Sequence, residues 1–325
     1  MQRIKNVPLA PRYRSLALLL SVVGAGLLGC DSAERGNLGS ADLGGEGKPT
    51  VVATNTLIAD WADQIGGDQI ELTSLLQPGA DPHIYEPVPA DSIAFERADL
   101  ILYNGYNLEP GLIRLLNAAG ANAQQLAVGE VVPPLDLEED GQSVPDPHVW
   151  GDVSNVVPMV EAIRDQLIAL APEHRDTFTA NAAIYIEDLN QLHDWIGAQT
   201  ATIPPSQRQL VTTHDAFQYY ANAYGLTVVG TLIGISTEEQ PSAQTVQQLV
   251  TVIRDLGVPA IFAETTINPQ LIHTVAQEAE VPLAEPELYA DSIGVPGSEG
   301  DSYWRMMAAN TRTIVTNLGG TVSEP

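Results

Sequence analysis

The sequence predicts an α/β protein of two parallel-sheet lobes with one long helix between them. Three observations carry this. From residue 50 onward, short β-branched runs alternate with helical periodicities, the rhythm of parallel strands joined by helical crossovers. Between Pro172 and Pro204 one uninterrupted helical pattern divides that rhythm in two. The roughly 275 residues beyond the N-terminal segment exceed what a single hydrophobic core usually organises.

That segment reads as an address. Arg3, Lys5, Arg12 and Arg14 precede an apolar stretch from Leu16 to Leu28, too short to span a bilayer comfortably as a permanent helix. Residues 1–29 are therefore expected to be a secretory signal peptide. Leu27-Leu28-Gly29-Cys30 resembles a bacterial lipobox, and Cys30 is the only cysteine in the chain. Cys30 is expected to be the mature, lipidated N-terminus, since each buried acyl methylene adds roughly 0.8 kcal/mol and several chains hold firmly. Residues 30–49 are rich in Gly and Ser with little apolar content and read as a flexible tether.

Loss of residues 1–29 leaves ten basic residues against 41 acidic ones, a formal charge of −31. Such a field repels nucleic acid and anionic lipid and concentrates cations. Acidic excess alone does not make a metal site, because most surface carboxylates form a solvated face.

Residues 50–171 form the expected N-terminal lobe. Strands are predicted at Thr50 to Thr54, Ile70 to Leu75 and Asp99 to Tyr103, and Leu57, Ile58, Trp61 and Ile65 share one helical face. Val132 to Pro147, rich in Pro and acid, reads as a loop, followed by a helix from near Asn155. In residues 172–203, Phe178, Ala182, Tyr185, Leu189, Leu192 and Ile196 step by three and four, which predicts a helix of about 40 Å. Residues 204–325 form the second lobe, with strands expected at Gln209 to Thr213, Leu226 to Thr231, Pro259 to Ala263 and Val281 to Ala284, and a last helix from Tyr303 to Leu318.

Three of the six histidines occupy related positions. His83 lies in Asp81-Pro82-His83, His148 in Asp146-Pro147-His148, and His214 follows the strand that ends in Thr212-Thr213. Ligands of open parallel sheets bind beyond the carboxyl ends of the strands. A lone histidine there is usually structural; the recurrence of Asp-Pro-His together with a third strand-end histidine favours a metal site. His174, His193 and His273 fall on predicted helices and are read as solvated or capping. Neutral imidazole suits zinc, copper, nickel or iron, whereas carboxylate and water suit harder ions. A fourth ligand is expected from the second lobe. Glu264 also ends a strand near the cleft and is read as an orienter of a ligand or as structural.

Asp81-Pro-His-Ile-Tyr-Glu-Pro87, Asp146-Pro-His-Val-Trp150, Thr212-Thr-His-Asp-Ala-Phe-Gln-Tyr-Tyr220 and Asp291-Ser292, in this order, resemble the zinc- and manganese-binding lipoproteins of ABC importers, the family of ZnuA, TroA and PsaA. The resemblance runs from about residue 50 to the C-terminus. It implies two α/β lobes joined by one rigid helix, with the metal in the cleft between them. It implies His83, His148, His214 and Asp291 as ligands of a transported Zn2+ or Mn2+. It further implies a monomer that is not an enzyme, anchored outside the cytoplasmic membrane, whose partner is the importer's permease. Many zinc members carry a His-rich loop before the second Asp-Pro-His, where this chain has the acidic stretch 135–144. Manganese members usually carry Glu where this chain has His214. The second departure concerns a ligand position and favours zinc. The rivals are a metal-dependent hydrolase and a surface adhesin; no His-Glu-Xaa-Xaa-His helix or Gly-Xaa-Ser-Xaa-Gly elbow supports the first.

Replacing Cys30 by Ser is expected to release the chain from membranes or to leave an unprocessed precursor, as followed by fractionation. Membrane retention of a cleaved Cys30→Ser chain contradicts the lipid anchor.

Overall fold

The computed structural model describes residues 47–325 apart from 121, 140 and 141; the signal segment, Cys30 and most of the tether lie outside them. The first lobe is built on a parallel sheet of β1 (Thr50–Ala53), β2 (Glu71–Ser74), β3 (Leu100–Tyr103) and β4 (Gln124–Ala127), in the order β2-β1-β3-β4. Val51 pairs with Leu72 on one side and Leu100 on the other. The crossovers are α1 (Thr56–Gly66), α2 (Pro89–Arg97) and α3 (Pro110–Ala119). Asn55 caps α1 by accepting from the Ile58 N–H at 3.0 Å, and the predicted face of Leu57, Ile58, Trp61 and Ile65 is fully buried.

The stretch read as a loop before the second Asp-Pro-His contains an antiparallel hairpin, β5 (Asp136–Glu139) and β6 (Gln142–Pro145). Cross-strand pairing there prevails over an acidic, Pro-containing composition that argues for irregular chain. α4 (Val153–Leu170) begins on an Asp152 cap, whose side chain accepts from Ser154 N. The expected long helix is a turn of 3₁₀ helix at Pro172–His174 followed by α5 (Arg175–Thr200). Its six predicted apolar positions are all buried, with Phe178, Leu189, Leu192 and Ile196 each contributing on the order of 1.5–3 kcal/mol by removal from water.

In the second lobe β7 (Gln209–Thr212) and β8 (Thr227–Thr231) pair in parallel with a bulge after Leu210. Between and beyond them lie α6 (Gln218–Tyr224), α7 (Ala243–Leu256), α8 (Gln270–Ala279) and α9 (Tyr303–Asn317). The strands expected at 259–263 and 281–284 are reduced to isolated parallel bridges, Ile261 to Leu283 and Glu264 to Leu288. Pro259, Pro282 and Pro286 supply no N–H to a ladder. The chain still runs beside β7, with the Phe262 N–H donating to the Val211 carbonyl at 2.9 Å. One apolar cluster passes from Val51 and Trp61 through Leu189 of α5 to Leu210 and Ile314, so α5 carries core for both lobes. Among the described residues no helix is long and apolar enough to cross a membrane.

Glu109, fully buried before α3, ties the sheet to what lies beyond it. Its Oε1 accepts from Thr54 Oγ1 at 2.8 Å and from the Asn104 N–H at 2.7 Å, joining the ends of β1 and β3. Asn104 Nδ2 in turn donates to the carbonyl of Pro147 at 3.0 Å. Burial raises the Glu109 carboxyl from its ordinary 4.5 to about 7, against the lowering effect of the Asn104 and Thr54 hydrogen bonds. A carboxyl raised on folding adds stability that is full below its unfolded value and is lost as pH rises through its folded value. Glu109→Gln keeps an acceptor for both donors and removes the titration. Denaturant unfolding of metal-free protein between pH 4.5 and 7 is therefore expected to show the parent losing on the order of 3 kcal/mol relative to the variant. A constant difference across that range contradicts the assignment.

Candidate metal centre

The two Asp-Pro-His segments use the same local device. Asp81 Oδ1 accepts from the His83 N–H at 2.9 Å, and Asp146 Oδ1 from the His148 N–H at 3.0 Å. Each aspartate thus folds the chain back over the intervening proline, whose restricted φ stiffens the turn. Asp146 does more: its Oδ1 also accepts from His148 Nδ1 at 2.7 Å. Beyond β7, Glu264 serves His214 in the same way. Its Oε1 accepts from the N–H groups of Thr213 and His214 at 2.8 and 2.9 Å, and its Oε2 pairs with His214 Nδ1. Both rings therefore carry their proton on Nδ1 and turn Nε2 away from the carboxylate.

Asp291 reaches the same place from the far end of the chain. The Trp150 Nε1–H donates to the Ala290 carbonyl at 3.1 Å, and Ser292 Oγ accepts from the Gly79 N–H at 2.8 Å. Thr56 Oγ1 lies 3.1 Å from Ser292 Oγ and accepts from the Ile293 N–H at 3.1 Å. Asp291 is thus braced by three parts of the first lobe.

The four side chains converge. One ligand atom from each of His83, His148, His214 and Asp291 lies within 4.8 Å of the others, and all four residues are buried. His83 and His148 Nε2 are 3.2 Å apart, and the three imidazole Nε2 atoms stand 3.3 to 3.7 Å from Asp291 oxygens. His214 Nε2 and both Asp291 oxygens are buried without a hydrogen-bond partner; the 3.3 Å approach of His214 to Asp291 is not aligned as one. Lone pairs aimed inward at one point, unpaired and dry, are what a cation satisfies.

Electrostatics agree with that geometry. Burial pushes the His83 imidazole down to about 3 against the pull of Asp291, so it stays a neutral donor. Burial would likewise lower His214, but Glu264 and then Asp291 outweigh it and hold that imidazole well above its ordinary value. Burial opposes charge on Asp291, and His214 ahead of His148 and His83 holds its carboxyl below the usual range. A cation held by these four donors would displace a proton from the cluster.

Glu264 stands behind His214, outside the cluster. Asp146, part of the second Asp-Pro-His motif, orients a ring directly; the repetition of Asp before Pro-His is the signal for it in the sequence. Ser292 stands in the Asp291-Ser292 motif, whereas Thr56 carries no recognisable signal in the sequence. His174, His193 and His273 lie away from the cluster, and His193 Nδ1 sits 3.1 Å from Tyr224 Oη. A cleft of about 1400 Å³ opens beside the centre, lined by His83, Tyr85 and Tyr106 from one lobe and Ser236 and Glu238 from the other.

Residues 51–317 match the family described as "Zinc-uptake complex component A periplasmic". The manganese-binding lipoprotein MntA of Halalkalibacterium halodurans is 35% identical over 306 residues, covering 93% of this chain and 97% of that protein. The manganese ABC transporter substrate-binding lipoprotein PsaA of Streptococcus pneumoniae is 33% identical over 310 residues, with 93% and 97% covered. The structure of the periplasmic zinc-binding protein TroA from Treponema pallidum aligns with a TM-score of 0.80 at 35% identity, covering 84% of this chain and 99% of TroA. With a family match over most of its length and relatives of this closeness, the chain belongs to the ZnuA/TroA/PsaA family of metal-binding solute-binding proteins.

Proposed function

We propose that this protein captures a divalent transition-metal ion, zinc ahead of manganese, outside the cytoplasmic membrane and hands it to the permease of an ABC importer, held at the membrane by lipid on Cys30. The observation that carries the reading is the set of buried, inward-facing donors of His83, His148, His214 and Asp291, with His214 Nε2 and both Asp291 oxygens unpartnered.

The donor set favours zinc. Three imidazoles and one carboxylate make a borderline site, whereas manganese suits oxygen-rich coordination. A tetrahedral ion with bonds of about 2.0–2.1 Å holds its ligand atoms roughly 3.3 Å apart. Counting both Asp291 oxygens, four pairs here fall between 3.2 and 3.7 Å, and one atom from each residue lies within 4.8 Å of the others. The names of the relatives divide between the two metals, MntA and PsaA being named for manganese and TroA for zinc; between them, the donors favour zinc. Binding is favoured over hydrolysis at Glu264, whose two oxygens are engaged by His214 and Thr213, so that carboxylate is not free to act as a general base.

Protein freed of metal and dialysed against zinc is expected to take up one ion per chain. His214→Glu is expected to lower the zinc-to-manganese affinity ratio, and His214→Ala to weaken both metals. An unchanged ratio in His214→Glu, alongside abolished binding in His83→Ala, removes His214 from the ligand set. Glu264→Gln, which withdraws charge from His214 Nδ1, is expected to weaken zinc about 10- to 100-fold. Delivery is checked by metal uptake in cells lacking the chain: uptake equal to that of the parent strain at limiting zinc contradicts it.

A further inference from the structure

The three imidazoles are not held alike. Carboxylates of Asp146 and Glu264 grip Nδ1 of His148 and His214; among the described residues no carboxylate does so for His83. His83 is positioned through its backbone, by the single bond from its N–H to Asp81 Oδ1 at 2.9 Å. It is also the one member of the four that lines the cleft, so the ion's way out passes it.

The other oxygen of Asp81 is taken from across the cleft. Thr237 Oγ1 donates to Asp81 Oδ2 at 2.6 Å, 156 residues away in the chain. Thr237 lies in the segment 232–241 that joins β8 to α7. The root of that segment wraps the His214 turn: Leu232 and Ile233 N–H groups donate to the Thr213 carbonyl at 3.1 and 2.9 Å, and the Asp215 N–H donates to the Gly234 carbonyl at 3.1 Å. The segment is a strap that starts against one proposed ligand and ends on the aspartate that sets another.

We propose that Thr237 is a positioning residue for metal retention: its hydroxyl latches the strap 232–241 onto Asp81, Asp81 holds His83 against the ion, and opening this latch is the step that frees His83 and lets the metal leave. The inference rests on the reading of the site given above. The latch is the weak point of closure by construction. The residues flanking Asp291 are braced across the lobes: Ala290 and Ser292 accept from Trp150 and Gly79, and Ile293 donates to Thr56, while His83 depends on one hydroxyl acting through one carboxylate. A hydrogen bond from a neutral donor to a charged acceptor is strong enough that its loss changes a rate by about tenfold or more.

Zinc-loaded protein is mixed with excess chelator and release is followed by stopped flow for the parent, Thr237→Val, Thr237→Ala, Thr237→Ser, Asp81→Ala and the double variant Thr237→Val/Asp81→Ala. Release is expected about tenfold faster in Thr237→Val and Thr237→Ala and near the parent rate in Thr237→Ser, which restores the donor. The double variant is expected to release no faster than Asp81→Ala alone, because both changes break one pathway. Parent-like release from Thr237→Val and Thr237→Ala overturns the latch, and so does an additive double variant. A parent protein that takes up no zinc overturns the functional reading instead, so the two failures are separable.

Discussion

Glu264 is a carboxylate with no exposure to water, and the centre depends on its being fully employed. Removing such a charge from water costs several kcal/mol unless hydrogen bonds replace the lost solvation. Here two backbone N–H groups and an imidazole N–H do so. The same three bonds fix the turn after β7, the tautomer of His214 and the direction of its free lone pair. Asp146 repeats the arrangement for His148 with one backbone and one ring donor. The centre is therefore two layers deep, with anions outside that make the inner nitrogens better donors.

The architecture supplies the places where such pairs form. Parallel strands end on one side of their sheet, so the segments leaving β2 and β7 carry His83 and His214 there, and the chain beyond the β5-β6 hairpin adds His148 to the same cluster. Order β2-β1-β3-β4 puts the change of direction between β1 and β3, and Glu109 stands at that change, bonded to the residues that leave both strands. Through Asn104 and the Pro147 carbonyl the sheet is connected to the turn that holds His148. Framework and site are one hydrogen-bonded object.

Much of this was legible in the chain because it is local. The spacing of Phe178, Ala182, Tyr185, Leu189, Leu192 and Ile196 reports a helix face, and all six are buried. Asp-Pro-His is likewise a local turn written twice. What escaped reading is non-local or weakly encoded. β4, Gln-Gln-Leu-Ala, has poor strand propensity and exists because β3 lies beside it in register. The hairpin at 136–145 pairs residues whose composition argues for loop. The proline-broken strands of the second lobe look complete from apolar content and are not, since their missing donors show only when neighbours are counted. Asp81 to Thr237 and Ser292 to Gly79 join residues with no shared pattern, and no periodicity could have announced them.

α5, 26 residues long, packs against α1 and α4 of the first lobe and against α6 and α9 of the second. A rod gripped along its length by both halves is stiff in bending, so it stores little of any motion between them. Compliance would then fall to segments of a few residues at the rim, as in a box with a catch rather than a jaw. On the proposal of a Thr237 latch, a partner emptying such a box would have no need to pry the halves apart; it would have only to compete for a hydroxyl or a carboxylate at the edge, a task suited to a shallow and short-lived encounter.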